Sequence, residues 1–262
     1  MKNVFKYLRF EDKRNGKIFI ITIDRPPVNA INIELLNELN LFCDDIKKDE
    51  KTRVIIFTGT GNVFSAGADL KEREKMSEKE VEDYIVNIRT TFERISELPV
   101  PVICAINGIA AGGGFELTLS ADFRIASERA RVGLRETALA IIPGGGGTQR
   151  LSRLIGPSKA KWWIMTARLF SAEEALKDGV VNMVVNHKNL ISESISIAEE
   201  ISEKGPIAIK QAKIAVDRGI ELPIEKALEL ETRCYKKTIP TQDRIEGLKA
   251  FKEKRKPDYK GI

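Results

Sequence analysis

Short apolar runs that alternate with amphipathic stretches constrain the fold of this chain more than any other feature. The runs KIFIITI (17–23), RVIIFTG (53–59) and PVICAING (101–108) have the length and β-branched content of buried strands. Apolar residues at helical spacing follow in IELLNELNLFCDDI and in SEKEVEDYIVNIRTTFERI, where Ser77 and Glu80 stand in capping-box positions. ADFRIAS has the pattern of a further strand. This alternation predicts an α/β fold built from right-handed βαβ units around a parallel sheet.

The second half of the chain has a different pattern. After about residue 145 nearly every segment has helical spacing, and Ser171 with Glu174 forms a second capping-box pattern. One short strand, VNMVV, interrupts these helices. We therefore expect an α/β core over residues 1–200 and a helical C-terminal region over residues 201–262.

Composition excludes several classes of protein. With 262 residues and 42% hydrophobic content, the chain can bury a full core without disulfides or metals. Cys43, Cys104 and Cys234 show no CxxC spacing, which indicates buried thiols. The start MKNVFKYLRF lacks the apolar stretch of a signal peptide, and no run reaches membrane-spanning length. We expect a cytoplasmic protein without a membrane partner.

The histidine count and the charge pattern limit the chemistry further. His187 is the single histidine, so a Ser–His–acid or Cys–His mechanism would depend on it alone, and we expect a surface residue and no metal site. The net charge is +5, with a basic end FKEKRKPDYKGI. That end is either a solvated helix terminus or an edge that binds anions. Acidic residues are interspersed elsewhere, and we expect no nucleic-acid partner.

Two loops rich in small residues follow predicted strands, in NVFSAGADLKE (62–72) and AAGGGFELTLS (110–120). A phosphate-binding Walker loop needs Gly-Lys-Ser/Thr, but here the carboxylate Glu116 follows the glycines, and no GxGxxG occurs in the first βα turn. Close helix–strand packing explains one such loop equally well. Two together favour a pair of backbone N–H groups directed at one oxygen, an oxyanion hole. Gly113 would add the partial positive charge of a helix N-terminus.

Two carboxylates accompany these loops. Glu116 lies among Phe115 and Leu117, and Glu136 follows Leu134 ahead of a third glycine-rich loop, so we expect both to be half buried. Each alone could equally be a helix cap or a surface acid. Together, beside backbone donors, they are the best candidates for general acid–base catalysis, because apolar surroundings raise a carboxyl pKa toward neutrality.

The stretches FSAGADLKE, AINGIAAGGGFEL, GLRETALAIIPGGGGTQRL and EGLKAFKEKR resemble the enoyl-CoA hydratase/isomerase (crotonase) superfamily, in register over essentially the whole chain. Within it the chain is most similar to bacterial enoyl-CoA hydratases and methylglutaconyl-CoA hydratases. The resemblance implies a crotonase (ClpP-like) α/β fold with a repeated β-β-α core and a helical C-terminal trimerisation region. It also implies assembly as a homotrimer or a dimer of trimers.

The resemblance further implies residue roles. The N–H groups of Ala68 and Gly113 would hold the carbonyl oxygen of an acyl-CoA thioester. Glu116 and Glu136 would hold the water that adds at Cβ, with Glu136 delivering a proton to Cα, and the N–H of Gly144 would fix the acid loop. No cofactor is implied, since coenzyme A is part of the substrate. Besides Ala68 and Gly113, the implied substrate contacts are Val28, Ala66, Asp69, Leu70, Lys71 and Gly144, and Phe251 with Lys254 from a neighbouring subunit.

Three alternatives stay open at this point. Isomerases of the same fold lack one of the two glutamates or carry aspartate, so the presence of both favours a hydratase. Some relatives bind RNA through a lysine-rich helix, but the corresponding helix here is acidic over most of its length. Arg135, directly before Glu136, either recognises a second carboxylate on a glutaconyl-type acyl group or points to solvent. The acyl group and the pathway, fatty-acid oxidation or leucine degradation, are not fixed by the sequence.

Overall fold

Six strands form the main sheet of the computed structural model, which describes residues 5–262. Strand β1 is antiparallel to β2, and the remaining neighbours pair in parallel. The strands predicted at 17–23, 53–59 and 101–108 are confirmed, whereas β1 escapes prediction because few of its side chains are buried. In spatial order the strands are β1 (Leu8–Lys13), β2 (Ile18–Ile23), β3 (Val54–Gly59), β5 (Val102–Ile106), β7 (Phe123–Ser127) and β10 (Met183–Val185).

A second, smaller sheet lies beside the first and was not predicted. Its first three strands are parallel, and the fourth is antiparallel to its neighbour. The prediction that the two small-residue loops directly follow strands of the main sheet is therefore wrong, since a two- or three-residue strand is too short to show periodicity. The order is β4 (Val63–Ser65), β6 (Ile109–Ala111), β8 (Arg131–Gly133) and β9 (Phe170–Ser171).

The two sheets are joined by a repeated unit. In each unit a strand of the main sheet is followed by a strand of the small sheet and then by a helix, as in β5, β6 and the helix that begins at Gly113. Because β4, β6 and β8 are parallel, their carboxyl ends meet at one edge. The β-β-α repetition expected from the sequence is therefore present, and it gathers three loops at one place.

The helices occupy both faces of the main sheet. Capping boxes at Ser77 and Ser171 are confirmed, each with the reciprocal hydrogen bonds of the motif. The helices are α1 (Ile33–Lys48), α2 (Leu70–Arg73), α3 (Glu78–Ser96), α4 (Gly113–Leu119), α5 (Gly147–Ile155), α6 (Pro157–Thr166), α7 (Ala172–Lys177), α8 (Leu190–Ser202), α9 (Pro206–Gly219), α10 (Ile224–Thr238) and α11 (Gln242–Glu253).

Two apolar clusters pack against the main sheet. The larger joins it to α1, α3 and the helices around α4, and the smaller places Leu190 and Ala198 of α8 against the opposite face. Strand β3 is buried along its whole length because helices cover both of its faces, as in parallel sheets generally. Cys43, Cys104 and Cys234 are buried thiols, as expected. No helix within residues 5–262 has the length and apolarity to cross a bilayer.

The C-terminal helices differ from the rest. The boundary predicted at residue 200 lies within α8, which covers one face of the main sheet and ends at Ser202. Helices α9, α10 and α11 bury few side chains. They expose large apolar residues, among them Val216, Ile220, Ile224, Leu228, Tyr235, Ile245, Leu248 and Phe251.

A buried carboxylate anchors the N-terminal segment to α1. Glu38 is 8% exposed and accepts hydrogen bonds from the backbone N–H groups of Lys6 at 2.7 Å, Tyr7 at 2.9 Å and Leu8 at 3.1 Å. Three consecutive donors directed at one carboxylate satisfy backbone groups that would otherwise lack partners. This interaction leads the chain into β1.

Replacing Glu38 by alanine should lower the free energy of unfolding by about 2–3 kcal/mol, because it leaves one buried and two partly buried backbone N–H groups without their partner. Urea unfolding followed by circular dichroism measures the change. Glu34 on the same helix makes an exposed ion pair with Lys6 and serves as the control. Glu34→Ala should shift the unfolding midpoint far less, and equal shifts for the two variants would contradict the anchoring role.

Candidate active site

A cavity of about 1420 Å³ opens where the carboxyl ends of β4, β6 and β8 meet. Its wall also includes the loop before α1, helices α2 and α3, and the segment from Arg135 to Gly145. Ten of the residues predicted from the sequence line it: Val28, Ala66, Ala68, Asp69, Leu70, Lys71, Gly113, Glu116, Glu136 and Gly144.

The structure brings the backbones of Ala68 and Gly113 together. A Cβ on Gly113 would lie 3.6 Å from the amide nitrogen of Ala68. Gly67 has φ +93°, and a Cβ there would lie 2.7 Å from the carbonyl oxygen of Ala111, so only glycine fits between the two loops. Within residues 5–262 neither the N–H of Ala68 nor that of Gly113 donates a hydrogen bond to another group. Two adjacent backbone donors are thus available to one oxygen in the cavity.

The loop that carries Ala68 is held by a short parallel bridge. The N–H of Ile31 donates to the carbonyl of Gly67 at 2.8 Å, and the N–H of Asp69 donates to the carbonyl of Ile31 at 3.0 Å. The hydroxyl of Tyr84 donates to the same Ile31 carbonyl at 2.9 Å. These bonds engage the carbonyl of Gly67 and the N–H of Asp69, on either side of the Ala68 donor, and fix its direction.

Glu116 lies on α4 and is 2% exposed, which is deeper than the half-buried position expected for it. Its Oε1 accepts hydrogen bonds from the N–H groups of Gly145 and Gly147, both at 2.8 Å. The backbone donors to this acid are thus Gly145 and Gly147, and the role expected of the Gly144 N–H at the acid loop stays a prediction. A Cβ on Gly145 would lie 2.8 Å from Oε2 of Glu116, which explains the glycine at this position.

The pKa of Glu116 is raised to about 7. Burial contributes most, and the negative charge of Glu136 adds to it. The two glycine N–H groups and the charge of Arg150 oppose the rise but do not cancel it. At neutral pH this carboxyl group can therefore both take up and release a proton.

Glu136 begins a 3₁₀ helix that ends at Leu139. Its Oε1 would lie 3.0 Å from a Cβ on Gly112, the residue before the Gly113 donor, and Gly112 has φ +52°. Its Oε2 is buried and accepts no hydrogen bond from the described part of the chain. Burial raises the pKa of Glu136, against the opposing effect of nearby backbone N–H groups and Arg73. The second acid therefore has a buried oxygen available for water or a substrate proton.

Three of the six cations that the structure describes at the cavity wall are paired with acids. Arg25 binds Asp69 at 2.6 Å, while Lys6 and Arg9 pair with Glu34 and Asp24. Burial alone would raise the pKa of Asp69. Hydrogen bonds from Arg25 and from the backbone N–H groups of Glu72 and Lys71 outweigh this effect, and the pKa of Asp69 is lowered. The Asp69 carboxylate is thus engaged in organising this wall. In the chain from residue 5 onward, the wall residues Lys71, Arg73 and Arg135 form no ion pair.

Three residues considered in the sequence lie away from the cavity of their own chain. Phe251 is 87% exposed on α11, and Lys254 follows at the end of that helix with φ +54°. His187 places Nδ1 3.0 Å from the hydroxyl of the buried Ser127 and does not contact the cavity. The acid-holding glycines Gly145 and Gly147 escaped the sequence argument, although the run of four glycines was a visible signal.

Comparison with known proteins gives a consistent result. The sequence matches the enoyl-CoA hydratase/isomerase family over residues 13–262. It is 44% identical over 260 residues to the mitochondrial methylglutaconyl-CoA hydratase of Homo sapiens, covering 97% of this chain and 77% of the relative.

Solved structures agree with the sequence match. The crystal structure of an enoyl-CoA hydratase from Bacillus anthracis superimposes with a TM-score of 0.96 at 48% identity, covering 98% of this chain and 100% of that one. An enoyl-CoA hydratase structure from Mycobacterium smegmatis gives 0.92 at 29% identity, covering 97% and 99%.

Replacing Glu116 by glutamine should change stability in a pH-dependent way. Folding raises the Glu116 pKa from 4.5 to about 7. The loss of stability from burying its charged form is therefore complete above about pH 7 and absent below about pH 4.5. The variant's stability relative to wild type should therefore be about 3 kcal/mol more favourable at pH 8 than at pH 4.5. Urea unfolding at the two pH values measures it.

The exposed Glu200 provides the matched control for this change. Glu200→Gln should leave the stability difference from wild type nearly the same at both pH values. If Glu116→Gln behaved like this control, Glu116 would not carry a raised pKa.

Proposed function

The chain belongs to the enoyl-CoA hydratase/isomerase family, and we propose that it catalyses the reversible syn addition of water across the double bond of a 2-enoyl-CoA thioester. It is an enzyme with the crotonase fold expected from its sequence. One observation carries the proposal: two unengaged backbone donors and two glutamates with raised pKa values share one cavity. This is the set of groups that water addition to an enoyl thioester requires.

The N–H groups of Ala68 and Gly113 bind the thioester oxygen in this proposal. When water attacks Cβ, negative charge moves onto that oxygen and gives an enolate-like state. Donors fixed before the reaction stabilise this charge without reorganising, and the loss of one such donor typically costs about 2.7–4 kcal/mol of transition-state stabilisation. Gly113 is the first residue of α4, so the helix N-terminus adds a further partial positive charge.

Glu116 and Glu136 hold the attacking water and move the protons. The water oxygen bonds to Cβ, the proton it loses passes to the carboxylate pair, and Glu136 delivers a proton to Cα. The pair thus ends with as many protons as it began with, and the product has gained one water. Both groups reach the double bond from the same wall, which accounts for syn addition. The chain's own residues supply every step, and we propose no cofactor beyond the coenzyme A of the substrate.

The remaining wall residues fit the nucleotide part of the substrate. Val28, Ala66, Leu70 and Gly144 offer backbone and apolar surface, and Lys71 is an unpaired cation suited to a phosphate. An isomerase of this fold needs one acid for a proton shift between carbons. The presence of two acids at the cavity therefore favours hydration.

The acyl group is the finer part of the proposal. A relative is named methylglutaconyl-CoA hydratase, which makes 3-methylglutaconyl-CoA a candidate substrate of this enzyme. Of the two pathways left open by the sequence, this substrate would favour leucine degradation. A cytoplasmic location remains the expectation from the sequence.

Adding the protein to crotonyl-CoA should lower the absorbance of the conjugated thioester until hydration reaches equilibrium. Glu136→Gln should lower kcat by at least about 100-fold, because it removes the proton donor. Its melting temperature and affinity for coenzyme A should stay close to wild type. A variant that loses its fold instead would show a structural role for Glu136, and wild-type protein that consumes no enoyl-CoA would refute the hydratase proposal.

We also propose that the protein forms homotrimers or dimers of trimers through its C-terminal helices. The apolar side chains exposed on α9, α10 and α11 form a surface of the kind that monomers rarely leave open. Phe251 and Lys254 lie away from their own cavity, so assembly would let them contact the coenzyme A bound by a neighbour.

Sedimentation velocity should therefore give three or six times the 29.3 kDa chain mass. Leu248→Glu, which places a charge on exposed apolar surface of α11, should lower that mass. The distant and exposed Leu41→Glu should not. A monomeric wild-type protein would refute the assembly.

A further inference from the structure

Arg135 stands out among the cations of the cavity wall. It lies between the buried Leu134 and the acid Glu136, is exposed, and is one of the residues that line the cavity. Arg25, Lys6 and Arg9 of the same wall each pair with a carboxylate, whereas the guanidinium of Arg135 donates to no acceptor within the described chain. Its five N–H donors are therefore all available to a ligand.

The position of Arg135 places it near the reacting atoms. Glu136, its neighbour in sequence, lies against Gly112, and Gly112 precedes the Gly113 donor for the thioester oxygen. The paired cations Lys6, Arg9 and Arg25 belong instead to the N-terminal segment and the loop before α1. An anion bound by Arg135 would thus belong to the acyl group rather than to the nucleotide.

The surroundings of Arg135 define the ligand further. Leu139, Ile141 and Ile142 line the same cavity and are exposed to it, so this wall offers apolar surface to the stem of an acyl chain. Arg73, which forms no ion pair within the described chain but lies over the ring of Tyr84, is close enough for its charge to act on Glu136. Two guanidinium groups at an apolar wall favour a chain that ends in a negative charge. The planar fork of arginine matches a carboxylate with two parallel hydrogen bonds.

We propose that Arg135 forms a carboxylate subsite, so that the enzyme prefers 2-enoyl-CoA thioesters whose acyl chain carries a second carboxylate. The proposal rests on the hydratase function proposed above and names its substrate class. Arg135 determines specificity and takes no part in proton transfer.

A pair of matched substrates tests the subsite. Glutaconyl-CoA and trans-2-pentenoyl-CoA differ only in a carboxylate in place of a methyl group, so the ratio of their kcat/KM values isolates recognition of the charge. Wild type should favour glutaconyl-CoA at least about tenfold. Arg135→Gln should lower the ratio at least about tenfold, and Arg135→Lys should give an intermediate value because it keeps the charge without the fork.

Two further arginines serve as comparisons. Arg129 is exposed and lies outside the cavity, so Arg129→Gln should leave the ratio unchanged. A ratio that falls in Arg73→Gln but not in Arg135→Gln would overturn the assignment to Arg135. An equal loss on both substrates in Arg135→Gln, or no preference in wild type, would overturn it as well.

The two proposals fail differently. Hydration of pentenoyl-CoA without a preference for glutaconyl-CoA would refute the carboxylate subsite and leave the hydratase function standing. If neither thioester is hydrated, the hydratase proposal falls and the subsite falls with it.

Discussion

The parallel pairing of β4, β6 and β8 is the constraint on which the site depends. Three strands of three residues each align the carboxyl ends of three separate β-β-α units, and the next residues of each unit are Ala66–Ala68, Gly112–Gly114 and Leu134–Glu136. Strands this short have little stability of their own and are held by the larger sheet beside them. The side-chain amide of Asn107, between β5 and β6, bonds the backbone of Gly59 and Gly61 and so joins this connection to the one between β3 and β4.

Burying two ionisable carboxyl groups at one wall lowers the stability of the folded protein. Hydrogen bonds to these groups offset that cost only in part. Two glycine N–H groups support Glu116, and the Oε2 of Glu136 has no donor among the described residues. If every oxygen of both carboxylates accepted hydrogen bonds, the charged forms would be stabilised and the two pKa values would return toward the ordinary range. The incomplete support leaves the pKa values of both groups raised, that of Glu116 to about 7. The reactivity of the two acids therefore depends on the hydrogen bonds that their carboxyl oxygens do not receive from the protein.

An element of this structure is predictable from the sequence only when its pattern of apolar and polar residues is long enough to show a period. The main-sheet strands and the long helices were predictable because their periodicity extends over several residues. The small sheet was not, since β4, β6 and β8 are too short to show alternation, yet it decides where the loops meet. Likewise, Glu116 and Glu136 were predicted as a pair from residue type and neighbours. The donors Gly145 and Gly147 depend on how a distant loop folds back, which no local pattern reveals.

The cations at the cavity are of two kinds: some hold a loop of the protein in place, and others bind no group of the described chain. Arg25 supports the Ala68 loop through Asp69, which also caps α2, so its charge serves the architecture. Arg135 supports nothing in the described chain, although its backbone is fixed between a buried leucine and a catalytic candidate. A rigid backbone that holds an unengaged guanidinium at a cavity wall loses little conformational entropy of the main chain when a ligand arrives. Such a residue affects which ligand is held much more than it affects whether the protein folds.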